Sequence, residues 1–169
     1  EADLLPELPE VETVVRDLRP LLLGRTITSV ERSAKSLRKS WKPAWEPSIV
    51  GQTICVVHRR GKWILVDFQS GSTLMVHLGM TGQFTVQPKE TPRESHTHLI
   101  FLLDDSSDLR FRDIRRFGSV TLFPDQPSWE TFLAEKLGPE PWDMDPQVWR
   151  ERVKQSRRNL KAMLLDQTL

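Results

Sequence analysis

The sequence has a single cysteine, Cys55, so it can build neither an intrachain disulfide framework nor a cysteine-based zinc site. Flanked by Ile54, Val56 and Val57, that thiol reads as part of a core and not as a nucleophile. No apolar run reaches membrane-spanning length, and the acidic start lacks the basic and apolar regions of a signal peptide. A soluble intracellular protein is the expectation. There is no P-loop, no dinucleotide fingerprint and no Ser/His/Asp arrangement. Internal repeats and low-complexity stretches are absent as well.

Net charge is also scarce. The formal total is +1, which by itself gives no reason to expect a nucleic-acid partner. The distribution says more. Residues 110–116 hold Arg110, Arg112, Arg115 and Arg116 against the lone acid Asp113, and residues 150–161 hold six basic groups against Glu151. Such clusters suit a surface turned toward phosphates. Solvated strand and helix faces would explain them equally well.

What is present is a clear change of period. Val11, Val14, Val15, Leu18, Leu21 and Leu22 recur at three- and four-residue steps, which predicts an amphipathic helix. Pro9 suits its first turn, Glu10 and Glu12 its positive end, and Gly24 its stop, while Pro20 would kink or tighten the last turn. The period then becomes two. Short strands are predicted over 26–33, 52–59, 63–68, 73–78, 83–87, 98–103, 109–111 and 119–123, separated by Gly, Asp and Ser turns. Close-set short strands imply an antiparallel sandwich or barrel. Residues 129–137, 146–155 and 160–167 read as helices, and the Gly138-Pro139-Glu140-Pro141 run breaks the first from the second. The fold class is therefore α+β: a helix packed on an antiparallel β-sandwich of about eight strands, then the first helices of a second domain. The boundary is placed near residue 126, giving domains 1–126 and 127–169.

Four segments occur in order along almost the whole chain. They are Pro6-Glu7-Leu8-Pro9-Glu10-Val11-Glu12-Thr13-Val14; Arg59-Arg60-Gly61-Lys62 with His77-Leu78-Gly79-Met80-Thr81-Gly82; Asp113-Ile114-Arg115-Arg116-Phe117-Gly118; and Leu137-Gly138-Pro139-Glu140-Pro141 with Leu164-Leu165-Asp166-Gln167. Each alone is a weak signal, and Pro6 to Glu12 alone would pass for an ordinary helix start. As an ordered set they resemble the formamidopyrimidine-DNA glycosylase family. Leu8 separates the chain from the related endonuclease VIII branch, which carries glycine there.

The resemblance implies a bacterial base-excision enzyme, cytoplasmic and nucleoid-associated, acting as a monomer on double-stranded DNA. It would excise 8-oxoguanine and formamidopyrimidines and then cleave the strand at the abasic site. Such chemistry requires flipping the base, bending the duplex and filling the hole. Pro6 matches the amine that attacks the sugar C1′ to form an iminium. Glu7 matches the acid that protonates the deoxyribose ring oxygen, Glu10 a second carboxylate, and Lys62 a lysine at the lesion phosphate. Met80, Arg115 and Phe117 match the side chains inserted into the duplex, with Arg115 pairing the orphaned base, cytosine by preference. Turn tips such as 79–82 and 117–118 are where exposed wedges would sit; core Met and Phe with a surface Arg is the plainer alternative. Arg116, His96 and Lys161 are further candidate phosphate contacts. His96 and His98, two apart, would share a strand face, but no third metal ligand stands at suitable spacing, so no metal is expected.

Three departures bear on these expectations. Residues 1–5 precede Pro6, and an acylated proline nitrogen is an amide without nucleophilicity. Beyond the equivalent of Leu169 the family pattern continues with a phosphate-binding Asn, the rest of a helix-two-turns-helix domain and usually a zinc finger, so no cofactor is expected here. Ile114 stands where proline is frequent. The chain as written is thus expected to be inactive or weak. Two further readings stand beside it, a non-catalytic relative binding damaged or bent DNA and an interaction module without DNA affinity.

Overall fold

The computed structural model describes residues 6–35, 37, 39, 41–138 and 145–155, the side chain of Arg152 excepted. The chain divides into two compact units, residues 1–126 and 127–169.

The first unit opens with helix α1, Leu8–Leu22, which buries Val11, Val15, Leu18 and Leu22 along one stripe. Burying such a side chain contributes about 1.5–3 kcal/mol relative to leaving it in water, so a charge at Val15 would unseat the helix. Pro9 lies in the first turn, where its missing N–H costs nothing, and the helix runs through Pro20 to Leu22. Gly24 follows in the left-handed conformation (φ +78°), and its N–H donates to the carbonyl of Ile54 at 2.9 Å.

Eight strands follow: β1 Ile27–Arg32, β2 Ile54–Arg60, β3 Trp63–Phe68, β4 Thr73–His77, β5 Gly82–Pro88, β6 Thr97–Leu103, β7 Ser107–Asp113 and β8 Ser119–Phe123. They form two antiparallel four-stranded sheets, ordered β1-β6-β7-β5 and β2-β3-β4-β8. A core that includes Ile27, Phe68, Phe101 and Phe111 joins α1 and residues of both sheets in one cluster. This is the expected α+β sandwich. Between β1 and β2 lies a helical turn that periodicity did not signal, Pro43–Trp45 leading into α2, Glu46–Ile49.

Two readings are corrected. Cys55 is exposed, not a core thiol. The β2–β3 register shifts between Ile54 and Val56, so Ile54 and Val57 fill the core while Cys55 and Val56 face outward. His96 and His98 do not share a face: His96 is exposed ahead of β6, and His98 is buried within it beside another register shift.

Strand β7 is longer than the predicted 109–111, pairing with β5 from Ser107 to Asp113, and Asp108 and Arg110 are buried on what would otherwise be its outer side. The connection from β5 to β6 covers them. Arg110 donates to Gln87 Oε1 and to the carbonyls of Pro88, Lys89, Thr91 and Pro92, and pairs with Asp108 at 3.2 Å. Further along, Arg112 donates to the Ser95 carbonyl and pairs with Glu94. Arg110 and Arg112 of the cluster are thus tied to the loop that precedes β6, while Arg115 and Arg116 are exposed.

Helix α3, Gln126–Ala134, starts on the last residue of the first unit and otherwise belongs to the second, with Trp129 and Leu133 buried. Helix α4 spans Pro146–Gln155, and the Gln147 N–H is capped by Asp145 Oδ1 at 2.7 Å. The helix predicted over 160–167 lies outside the described residues. No described helix is long and apolar enough to cross a membrane.

Candidate active site and nucleic-acid interface

The register of the sheets brings distant turns to one end of the sandwich. His77, the last residue of β4, pairs with Trp63 at the start of β3 and with Ser119 at the start of β8. Gly82 at the start of β5 pairs with Asp113 at the end of β7. Residues 78–81 therefore cross from one sheet to the other beside residues 114–118, which cross back. The β2–β3 turn carrying Lys62 ends at the same edge.

The start of α1 joins this edge through charge. Lys62 Nζ lies 2.8 Å from Glu7 Oε2, both side chains being largely shielded. Glu7 occupies the N-cap position of α1, yet its carboxylate makes no capping bond. The carboxylate is held by the lysine and not by the helix end. One turn later, Arg59 Nε donates to Glu12 Oε2 at 2.8 Å and Arg59 Nη1 to the Gly61 carbonyl at 2.9 Å. Arg59 thus locks the helix to the turn that presents Lys62. The Arg59 bond, with Arg16 assisting, outweighs burial and lowers the Glu12 pKa. Pro6 lies directly ahead of Glu7, half-buried, and Glu10 is exposed in the first turn.

His77 lies between this corner and the crossing turns. Its Nδ1 accepts the Gly79 N–H at 3.0 Å, and the Trp63 ring meets it edge-on at 4.6 Å between centroids. Burial, with the Lys62 and Lys39 cations nearby, holds its pKa below the ordinary 6.5. The neutral ring therefore carries its proton on Nε2.

On the crossing turns, Met80 is half-buried and Phe117 is 46 % exposed. The Arg115 guanidinium lies over the Phe117 ring, 5.6 Å from its centroid. Ile114 is exposed beside them. Arg116 adopts φ +58° and His96 φ +65°, two of the three non-glycine residues in the left-handed region among the described residues. Such conformations cost of order 1–3 kcal/mol and concentrate at functional sites. His96 is also anchored, its carbonyl accepting the Asp113 N–H at 3.0 Å.

Residues 5–120 match the model of the formamidopyrimidine-DNA glycosylase N-terminal domain. The chain belongs to this family. It is 40 % identical over 168 residues to the formamidopyrimidine-DNA glycosylase of Carboxydothermus hydrogenoformans, covering 98 % of this chain and 60 % of the relative. Against that of Geobacillus kaustophilus it is 39 % identical over 171 residues, covering 98 % and 61 %. Among solved structures, Lactococcus lactis Fpg in complex with a DNA containing N7-benzyl-Fapy-dG superposes with a TM-score of 0.85 at 34 % identity, covering 97 % of this chain and 61 % of that one. The same enzyme with an abasic-site DNA gives 0.84 at 33 % identity, covering 96 % and 61 %. The chain spans about three fifths of the length of the relatives it matches.

For this glycosylase-family domain, the structure brings Glu7, Lys62, Met80, Arg115, Arg116, Phe117 and His96 to one end of the sandwich, with Pro6 and Glu10 beside Glu7. Lys161 lies outside the described residues. Among these residues no group of three or more His, Cys, Asp or Glu side chains could hold a metal ion. Sequence reasoning assigned no role to Arg59, His77, Thr81 or Asp113. Asp113 had left a trace as the one acid inside an arginine cluster, at the end of a strand.

Proposed function

We propose that the protein acts in base-excision DNA repair as a glycosylase with abasic-site lyase activity, removing 8-oxoguanine and formamidopyrimidines from double-stranded DNA. The observation that carries this reading is the Lys62–Glu7 pair, standing next to Pro6 at the same end of the sandwich as the Met80 and Arg115–Phe117 turns. An amine at Pro6 attacks the sugar C1′ and the base leaves. The Glu7 carboxylate takes the proton that the attacking Pro6 nitrogen gives up and delivers it to the ring oxygen as the sugar opens. The resulting iminium is the electron sink for strand elimination. Lys62 supplies a cation for the phosphate beside the lesion, and Glu10 adds a second carboxylate. Met80 fills the hole, Phe117 wedges the opposite strand apart, and Arg115 pairs the orphaned base. Arg116, His96 and Lys161 serve as phosphate contacts, within the opening part of a helix-two-turns-helix DNA-binding domain for Lys161. The unit acts as a monomer in the bacterial cytoplasm, and its own residues call for no cofactor.

The chemistry sets one condition. While Leu5 acylates Pro6, the nitrogen is an amide and cannot attack, so the covalent step belongs to a form in which Pro6 leads the chain. Borohydride trapping on a duplex with 8-oxoguanine opposite cytosine tests this. A chain beginning at Pro6 is expected to form the covalent adduct, and the chain with residues 1–5 attached to form none. Salt-dependent binding to abasic duplex with no adduct from either form would instead favour a non-catalytic DNA-binding protein, a reading supported by the exposure of Phe117 and Arg115. Absence of DNA binding altogether would leave an interaction module.

A further inference from the structure

The two crossing turns are wired together through one carboxyl group and one hydroxyl. Asp113 is 0 % exposed. Its Oδ1 accepts the Thr81 hydroxyl proton at 2.6 Å and its Oδ2 accepts the Gly118 N–H at 2.7 Å. Its carbonyl accepts His98 Nε2–H at 2.7 Å. Thr81 Oγ1, having given its proton to Asp113, accepts the backbone N–H of Arg115 at 3.0 Å. A single oxygen atom thus links the residue after Met80 to the residue that carries the guanidinium.

There is no slack between the turns. A Cβ on Gly79 would stand 2.6 Å from the Gly118 nitrogen and 2.7 Å from the Phe117 carbonyl carbon. One on Gly118 would stand 2.7 Å from the His77 carbonyl oxygen and 2.9 Å from Asp113 Oδ2. Close backbone packing and a satisfied buried network respond as a unit, because partial displacement orphans several groups at once. Moving the Met80 turn by the length of a hydrogen bond would leave Asp113 Oδ1 and the Arg115 N–H unpaired together.

Resting on the reading of Met80 and Arg115 as inserted side chains, we infer that Thr81 and Asp113 are positioning residues that couple the filling of the hole by Met80 to the reading of the opposite base by Arg115. Discrimination at the opposite base then depends on a hydroxyl whose donor and acceptor capacities are both committed within the protein. Thr81→Val is the informative variant, since it keeps the shape of the side chain while removing both bonds. Thr81→Ser restores them.

The experiment uses the full chain and fluorescent duplexes carrying a tetrahydrofuran abasic analogue opposite either cytosine or adenine. Anisotropy gives the two affinities, and amide exchange at Arg115 in the free protein, whose N–H donates to Thr81 Oγ1, reports the tie between the turns. In Thr81→Val the cytosine-over-adenine preference is expected to fall roughly fivefold and the Arg115 amide to exchange faster, in line with the loss of its hydrogen-bond partner. Thr81→Ser should recover both. A merely structural role for Thr81 would weaken both affinities by the same factor and leave their ratio intact, and that result overturns the proposal. So does unchanged Arg115 amide exchange in Thr81→Val, whatever the DNA data show. Loss of the wedge reading is a separate outcome: Arg115→Ala and Met80→Ala would then leave abasic binding unaltered. A wild-type chain without any cytosine preference overturns both together.

Discussion

The Lys62 ammonium stands 2.8 Å from a carboxylate oxygen of Glu7, joining the N-cap of a helix to the turn between two strands. The same corner is braced by Arg59, which holds Glu12 on one side and the Gly61 carbonyl on the other. Chemistry at Pro6 would be exercised within this frame. In a chain beginning at Pro6, Glu7→Gln is expected to slow base excision by about a hundredfold or more, because the amide cannot deliver a proton to the ring oxygen. Single-turnover cleavage of an 8-oxoguanine duplex, read beside the affinity for an abasic duplex, separates this effect from weakened binding. Excision at the wild-type rate would remove Glu7 from the mechanism.

Phe117 is exposed on a turn whose backbone is fixed on both sides. Phe117→Ala should therefore cost little stability and much recognition. The expectation is roughly a tenfold loss of affinity for abasic duplex, from the wedge contact alone, with undamaged duplex barely affected. Equal losses on both duplexes would mean that the ring is not a wedge.

Arg110 and Asp108 are each only a few per cent exposed, and Arg110 also satisfies carbonyls of the loop leading toward His96. Breaking a buried pair by removing one partner typically costs about 3–5 kcal/mol. Arg110→Met should show a loss of that order in urea unfolding. Asp108→Leu combined with Arg110→Met should recover only part, since the loop carbonyls stay without their donor.

Gly79→Ala meets two obstacles at once, a left-handed backbone (φ +61°) and a Cβ placed 2.6 Å from the Gly118 nitrogen. A destabilisation of about 2 kcal/mol or more is expected from strain and displaced backbone. Thermal unfolding measures it. A variant as stable as the wild type would show that the two crossing turns can separate freely.

The depressed pKa of His77 makes a signed prediction about pH. The unfolded chain takes up a proton near pH 6.5 that the folded chain refuses. Stability from this residue is therefore full above that pH and declines as the pH falls through the folded-state value. His77→Asn keeps an acceptor for the Gly79 N–H and removes the titration. The stability difference between variant and wild type should shift in the variant's favour as pH drops below 6.5, in denaturant titrations at stepped pH. A difference independent of pH would show that His77 accepts its proton as readily folded as unfolded.

The α1 stripe and the strand periods were legible in the sequence because burial on one face imposes a period on the chain. Cys55, His98 and Arg110 were read less well for the converse reason. Their environments depend on a register shift, a neighbouring strand or a covering loop, and none of these leaves a mark in local spacing. The candidate catalytic residues were found through ordered motifs. Thr81 and Asp113 were passed over, since a hydroxyl and a carboxyl become partners only when two crossings lie side by side.

By itself the sequence determined the helix, the sandwich and the family, because apolar period and residue order are properties of the chain alone. Only the tertiary structure decided which polar groups are joined: Glu7 to Lys62, Arg110 to its loop, and Thr81 to both Asp113 and Arg115. Those links form between residues far apart in the chain, where buried donors and acceptors must find partners or bear the full cost of desolvation.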